Sequence, residues 1–97
     1  MTEQPTQEQI KKFWERCKAG RKNSYPTAYG ETVYPELDLN NLFKYAAPKL
    51  DSLTDMNFYR RGELWKVDLI FHDIPAVRGV NADPALALFW AIWEVIK

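Results

Sequence analysis

Asp83-Pro84 opens a run in which every side chain from Ala85 to Trp93 is apolar, and only Glu94 and Lys97 carry charge after it. Pro75, Gly79 and Pro84 bracket a loop, and the final helix follows it. A chain with 13 acidic and 13 basic residues, and no net charge, does not leave such a helix in water. It has to lie in a core, and the rest of the fold has to supply surfaces for it. On a helical wheel Ala85, Phe89, Ile92, Trp93 and Ile96 cluster on one side and are expected to face a sheet. Ala87, Trp90, Ala91 and Glu94 fall on the other, where small residues beside a tryptophan form a flank that a second element or a protein partner could approach.

The remaining elements follow from local signals. Thr6 with Gln9 three residues on reads as a capping box. Ile10, Phe13, Trp14 and Cys17 then repeat at helical spacing, so a helix is predicted over Thr6–Ala19, with Met1–Pro5 frayed and Gly20 as the stop. Tyr25, Tyr29, Val33 and Tyr34, punctuated by Pro26, Gly30 and Pro35, suggest a short irregular hairpin in 21–35. Asp38 caps a second helix whose apolar positions are Leu39, Leu42, Phe43 and Ala46. Pro48 lacks the N–H of a helix interior, so the helix either ends there or continues, kinked or restarted, to Leu53. From Met56 to Phe71 the pattern is extended, with Arg61-Gly62 as a tight turn. Trp65, Val67, Leu69 and Phe71 share one face, and Leu64, Lys66, Asp68 and Ile70 share the other, which reads as a central strand partly covered on both sides.

Ninety-seven residues make one domain with one core, and 46% hydrophobic and 14% aromatic content argues against disorder. The predicted fold is α+β: a small, mainly antiparallel sheet around Met56–Phe71 with about three helices packed on it in an α-β-α layered arrangement. Trp14, Leu42, Phe43, Trp65, Val67, Leu69, Phe89, Ile92 and Trp93 are the expected core.

The segment LDLNNLFKYAAPKL, Leu37–Leu50, resembles the central motif of the phage ABA sandwich domain, a small domain of phage and prophage proteins. FWERC at Phe13–Cys17, a strand carrying Trp65 and an alanine-rich last helix after Asp83-Pro84 are similar in order. The sequence departs from the family where Lys18 stands after Cys17 in place of a glycine. The resemblance implies an α-β-α fold and a mobile-element origin, and brings no catalytic residues with it.

Chemistry is sparse. The single cysteine excludes an intrachain disulfide and a cysteine metal cage, and fits a reducing compartment. Cys17, His72 and Asp73 could formally make a nucleophilic site, but Cys17 lies on an apolar helix face, where thiols are inert packing. Asp51, Asp55, Asp68, Asp73 and Asp83 show no ligand-loop spacing, and the four glycines form no phosphate loop. No enzyme activity, cofactor or metal is expected. Asn40 and Asn41 read as local caps in a first helical turn. The N-terminus has no apolar signal core, and the C-terminal apolar run is about half of the ~18–20 residues a membrane span needs, so a cytoplasmic protein is expected.

Two partner classes stand. The first is protein, another copy or a different chain, met through Ala87, Trp90, Ala91 and Glu94. The second is nucleic acid, met through the basic cluster Lys11, Lys12, Arg16, Lys18, Arg21 and Lys22, with Tyr25 and Tyr29 as stacking rings and Arg60 and Arg61 extending the patch.

Overall fold

The first helix begins where the capping box places it. In a computed structural model that describes residues 4–17, 21–22 and 32–97, α1 spans Gln7–Arg16. The backbone N–H of Gln9 donates to the Thr6 hydroxyl at 3.1 Å, and that of Thr6 donates to the Gln9 side chain at 2.9 Å. Two of the four donors that a helix start leaves free are thereby satisfied. Phe13 and Trp14 are fully buried, and Cys17, the C-cap residue, is 1% exposed. The helix therefore stops short of the Ala19 expected from its spacing, and 18–20 lie outside the described residues.

The hairpin expected in 21–35 has a counterpart in two short antiparallel strands, β1 (Arg21–Lys22) and β2 (Thr32–Val33). Tyr25 and Tyr29 lie outside the described residues.

Asp38 caps the second helix as expected, its carboxylate accepting from the Asn41 N–H at 2.8 Å. The helix does not run to Leu53. A short α-helical turn, α2 (Leu39–Asn41), opens into a π-helical turn over Leu42–Ala46 and closes as a 3₁₀ turn over Ala47–Lys49. Pro48 accounts for this. It has no N–H to give the Lys44 carbonyl, and its ring would press on that carbonyl in a regular helix. Widening the turn, so that the Ala47 N–H reaches back to the Leu42 carbonyl, moves the clash aside. Leu42 and Ala46 are buried, but Phe43 turns outward, 46% exposed, against the expectation that it is core.

The sheet is antiparallel, in the order β3 (Leu53–Arg61), β4 (Leu64–Phe71), β5 (Val77–Asn81). Arg61 pairs with Leu64, so the turn is Gly62-Glu63, one residue later than expected. Gly62 supplies the left-handed backbone, at φ +61°.

Register assigns the faces. Met56, Phe58 and Arg60 stand opposite Leu69, Val67 and Trp65, which stand opposite Val77, Gly79 and Asn81. All the buried sheet residues (Val67, Leu69, Phe71, Gly79 and Asn81) lie on this one face. Trp65 is only half-buried, at the turn end of β4.

The last helix, α3 (Pro84–Ile96), lies on that face. The Asp83 carboxylate accepts from the Ala85 N–H at 2.8 Å, and Pro84 takes the first position. Every residue from Ala85 to Phe89 is buried, because β4 and β5 lie on one side and α1 and the second helix on the other. Phe89 meets Phe13 with ring centroids 4.6 Å apart, and Phe13 meets Trp14 edge-on at 5.0 Å. Burial of one such phenylalanine contributes about 1.5–3 kcal/mol. Trp93, expected to be core, is half-buried beside Phe89. The protein is thus an α+β domain of three helices and a three-stranded antiparallel sheet.

The side of α3 nearest the sheet is set by Gly79. A β-carbon built there would stand 1.8 Å from the Ala87 carbonyl oxygen and 2.6 Å from the Ala91 backbone nitrogen. Glycine below and two alanines above let the helix backbone come down onto β5. Ala87 and Ala91 are accordingly fully buried.

Candidate interaction surface

The close approach at Gly79 removes half of the surface expected on α3. Ala87 and Ala91 are sheet contacts and offer nothing to a partner. Trp90 is half-buried, its ring edge-on to Phe89 at 5.0 Å, and Glu94 is exposed and bonded to the Lys97 ammonium at 3.1 Å. These four residues do not make one continuous outer flank, because helical spacing identifies small residues without saying which side is approached.

The other sheet face has a different character. It carries Asp55, Asn57, Tyr59 and Arg61 from β3, Leu64, Lys66, Asp68 and Ile70 from β4, and Arg78 and Val80 from β5, and none of these is buried. At its centre Arg78 donates from Nε to Asp68 Oδ1 at 2.6 Å and from Nη2 to Oδ2 at 3.3 Å. Cross-strand register places the two side chains directly opposite each other, and the guanidinium also lies over the Tyr59 ring, 5.8 Å from its centroid. The hydrogen bond from Arg78 is the main reason the Asp68 carboxyl ionises below the ordinary carboxylate range; desolvation opposes it, and Arg78's charge, the Tyr59 hydroxyl and Lys66 add to the lowering. Half-buried Leu64, Ile70 and Val80 surround this polar centre. A hollow is lined by Asp68, Ile70, Ala76, Val77 and Arg78, and Ile74, in the connection between β4 and β5, is 43% exposed. The sequence signal for this face was the alternation of Leu64, Lys66, Asp68 and Ile70. What the alternation could not show was β5 closing the register and leaving the face without a helix among the described residues.

The basic cluster is described in part. Lys11, Lys12 and Arg16 are exposed on α1, where Glu15 between them accepts from the Tyr34 hydroxyl at 3.1 Å. Arg21 and Lys22 form β1, and Lys18 lies outside the described residues. Arg60 and Arg61 are exposed at the turn between β3 and β4, where Arg60 Nε donates to the Gly62 carbonyl at 3.0 Å.

The formal nucleophile site does not form a surface. Burial pushes the Cys17 thiol up to about 11 against an opposing pull from Lys49, so it is protonated and enclosed at neutral pH. His72 is exposed just after β4, its backbone N–H donating to the Ser52 carbonyl at 2.9 Å. Among the described residues no three of His, Cys, Asp or Glu gather closely enough to hold a metal ion. Asn41 is a local cap partner, its amide donating to the Glu36 carbonyl at 2.9 Å. Asn81, a polar residue that sequence reading passed over, is 2% exposed, and its side-chain oxygen accepts from the Asp83 N–H at 3.1 Å at the entry to α3. No described helix is long and apolar enough to cross a membrane.

Compared with protein-family models, with curated proteins and with solved structures, the chain matches none.

Proposed function

We propose that this chain is a non-enzymatic interaction domain of phage or prophage origin, working by protein–protein contact in the host cytoplasm. One observation carries the reading: among the described residues, helices cover one face of the sheet and none covers the other. That open face combines half-exposed Leu64, Ile70 and Val80 with an orienting Asp68–Arg78 pair over Tyr59, and exposed Ile74 stands in the connection that leads from β4 to β5. Apolar side chains around a few fixed polar groups, with aromatic and arginine among them, are the composition of a protein contact patch. The mobile-element origin rests on the resemblance of Leu37–Leu50 to the phage family. The buried, protonated Cys17 supports a role without covalent chemistry.

The test is site-specific photo-crosslinking in phage-infected host cells. A photoreactive residue at Ile74 is expected to capture a defined protein that the same residue at Glu8, exposed on α1, does not. Identical adducts from both positions, or no protein adduct at Ile74, would remove the reading.

The second reading is a weak nucleic-acid binder, and the exposure of Lys11, Lys12 and Arg16 on one helix is what favours it. It requires binding to single- or double-stranded DNA that weakens steeply with salt and disappears on Lys11→Glu with Arg16→Glu. Binding that survives that charge reversal eliminates it.

A further inference from the structure

Among the described residues the sheet ends at β3, and that edge is long. β3 spans Leu53–Arg61 and pairs only with β4 among the described residues. Antiparallel ladders alternate, so every second residue turns its N–H and C=O away from the neighbouring strand. A two-residue turn closes on the hydrogen-bonded pair Arg61–Leu64. Tyr59, Asn57 and Asp55 therefore bond to β4, while Met56, Phe58 and Arg60 direct their backbone groups outward. The Met56 N–H agrees with this: its acceptor is the Asp55 carboxylate at 3.0 Å, a side chain standing in for a missing strand.

An unpaired edge is a template for another strand unless charge, proline or a bulge blunts it. Here the charges are arranged to complement their own copy. Set β3 antiparallel to a second β3 with Phe58 on the two-fold axis. The outward-bonding residues then meet as Phe58 with Phe58 and Met56 with Arg60, which is the hydrogen-bonded alignment the ladder requires. In the same register Asp55 of each chain stands opposite Arg61 of the other, and Asn57 opposite Tyr59. Asp55 and Arg61 are both exposed, and neither is in the ion pairs among the described residues. On the helix-covered face, exposed Phe43 packs on Phe58 with centroids 5.9 Å apart, beside the axis. A large apolar residue left 46% exposed by the π-helical turn would there meet its own copy.

We propose that a second copy of this chain docks along β3, joining two three-stranded sheets into one continuous six-stranded antiparallel sheet about a two-fold axis at Phe58, with two symmetric Asp55–Arg61 pairs. On pairing, Asp55 releases the Met56 N–H to the Arg60 carbonyl of the second copy and takes up its Arg61 guanidinium. The open faces of the two sheets become one surface. The proposal extends the protein-contact reading to a particular partner but does not depend on Ile74. A monomer that still crosslinks through Ile74 would sink the dimer and leave that reading intact.

The test is sedimentation velocity at neutral pH and low salt over about 5–500 µM, a range suited to the weak association of a small interface. The wild-type chain is expected to pass from monomer to dimer. Asp55→Arg sets like charges across the axis, as does Arg61→Asp, and each should raise the dissociation constant at least about tenfold. An equimolar mixture of the two variants should recover dimer, because each reversed charge then faces its opposite, and the double variant D55R/R61D should recover it alone. Phe43→Ser should weaken association several-fold while the far-UV circular dichroism is unchanged. A chain that stays monomeric throughout overturns the proposal. So does a dimer indifferent to both charge reversals, or a mixture that fails to rescue.

Discussion

Gly79→Ala is the sharpest test of how the layers fit. The added methyl would lie 1.8 Å from the Ala87 carbonyl oxygen and 2.6 Å from the Ala91 nitrogen. Both obstacles are helix backbone, so no side-chain rotation relieves them. Ordinary van der Waals contact needs about 3.5 Å, so α3 must lift from β5 by more than an ångström or β5 must bend. Overpacking of a core costs ~1–3 kcal/mol when side chains can yield. Here backbone must yield, which puts the expected loss at the top of that range, about 3 kcal/mol. A domain of this size is stable by roughly 5–15 kcal/mol. At roughly 4–8 °C per kcal/mol, the midpoint should fall by about 12–24 °C. Gly62→Ala is the control, because its cost has another origin. Nothing lies within 4 Å of the β-carbon there, and only the left-handed backbone at φ +61° resists, worth about 1–2 kcal/mol. Thermal denaturation followed by circular dichroism measures both. A Gly79→Ala midpoint within about 2 °C of wild type would refute the close-approach argument, and with it the burial of Ala87 and Ala91 against the sheet.

Further expectations follow from the same contacts. Trp14→Ala removes a fully buried indole and should cost ~3–5 kcal/mol in chemical denaturation, clearly more than Trp93→Ala at its half-buried site; the reverse order would show that α1 is not a core element. Asp83→Ala deletes the α3 cap and should cost about 1 kcal/mol, with Asp83→Asn largely retaining it, both read from denaturant midpoints. Cys17 should resist a thiol reagent at pH 8 in the native state and react on unfolding, and fast native labelling would contradict its burial. The Cys17 thiol has a folded pKa raised from 9.0 to about 11, so its contribution to stability is complete below pH 9 and is lost as pH climbs through 11, because the unfolded chain ionises first. Asp68 is opposite in sign: its folded pKa is depressed, so its contribution holds above the ordinary carboxylate range and fades as acid protonates it. Asp68→Asn should flatten that acid limb slightly, since Arg78 is half in solvent.

Much of the local structure was legible in the residues. Thr6 with Gln9 and Asp38 mark two helix starts, because a cap needs only a side-chain oxygen within a few residues of free N–H groups, and the apolar run after Asp83-Pro84 marks the third helix. The Met56–Phe71 hairpin follows from alternation and one glycine, with the turn displaced by a single residue. The end of the second helix was less legible. Pro48 announces a disturbance, but a π-helical turn that rotates Phe43 outward is a local compromise that helical spacing does not encode.

The candidate site was read less well, and the reason is physical. The sequence by itself determines which segments are amphipathic, where they start and which residue types are small, since these depend on neighbours three or four positions away. It does not determine which side of a helix apolar all round meets the sheet. That was decided by Gly79, eight and twelve residues before the two alanines it admits, once β5 had been aligned on β4. The tertiary structure therefore turned the alanine flank of the last helix from a surface into a core contact. It placed all the buried sheet residues on one face and left the other face, with the β3 edge beside it, without a helix or strand over it among the described residues. Burial is a property of pairs of surfaces, and a sequence lists only one member of each pair at a time.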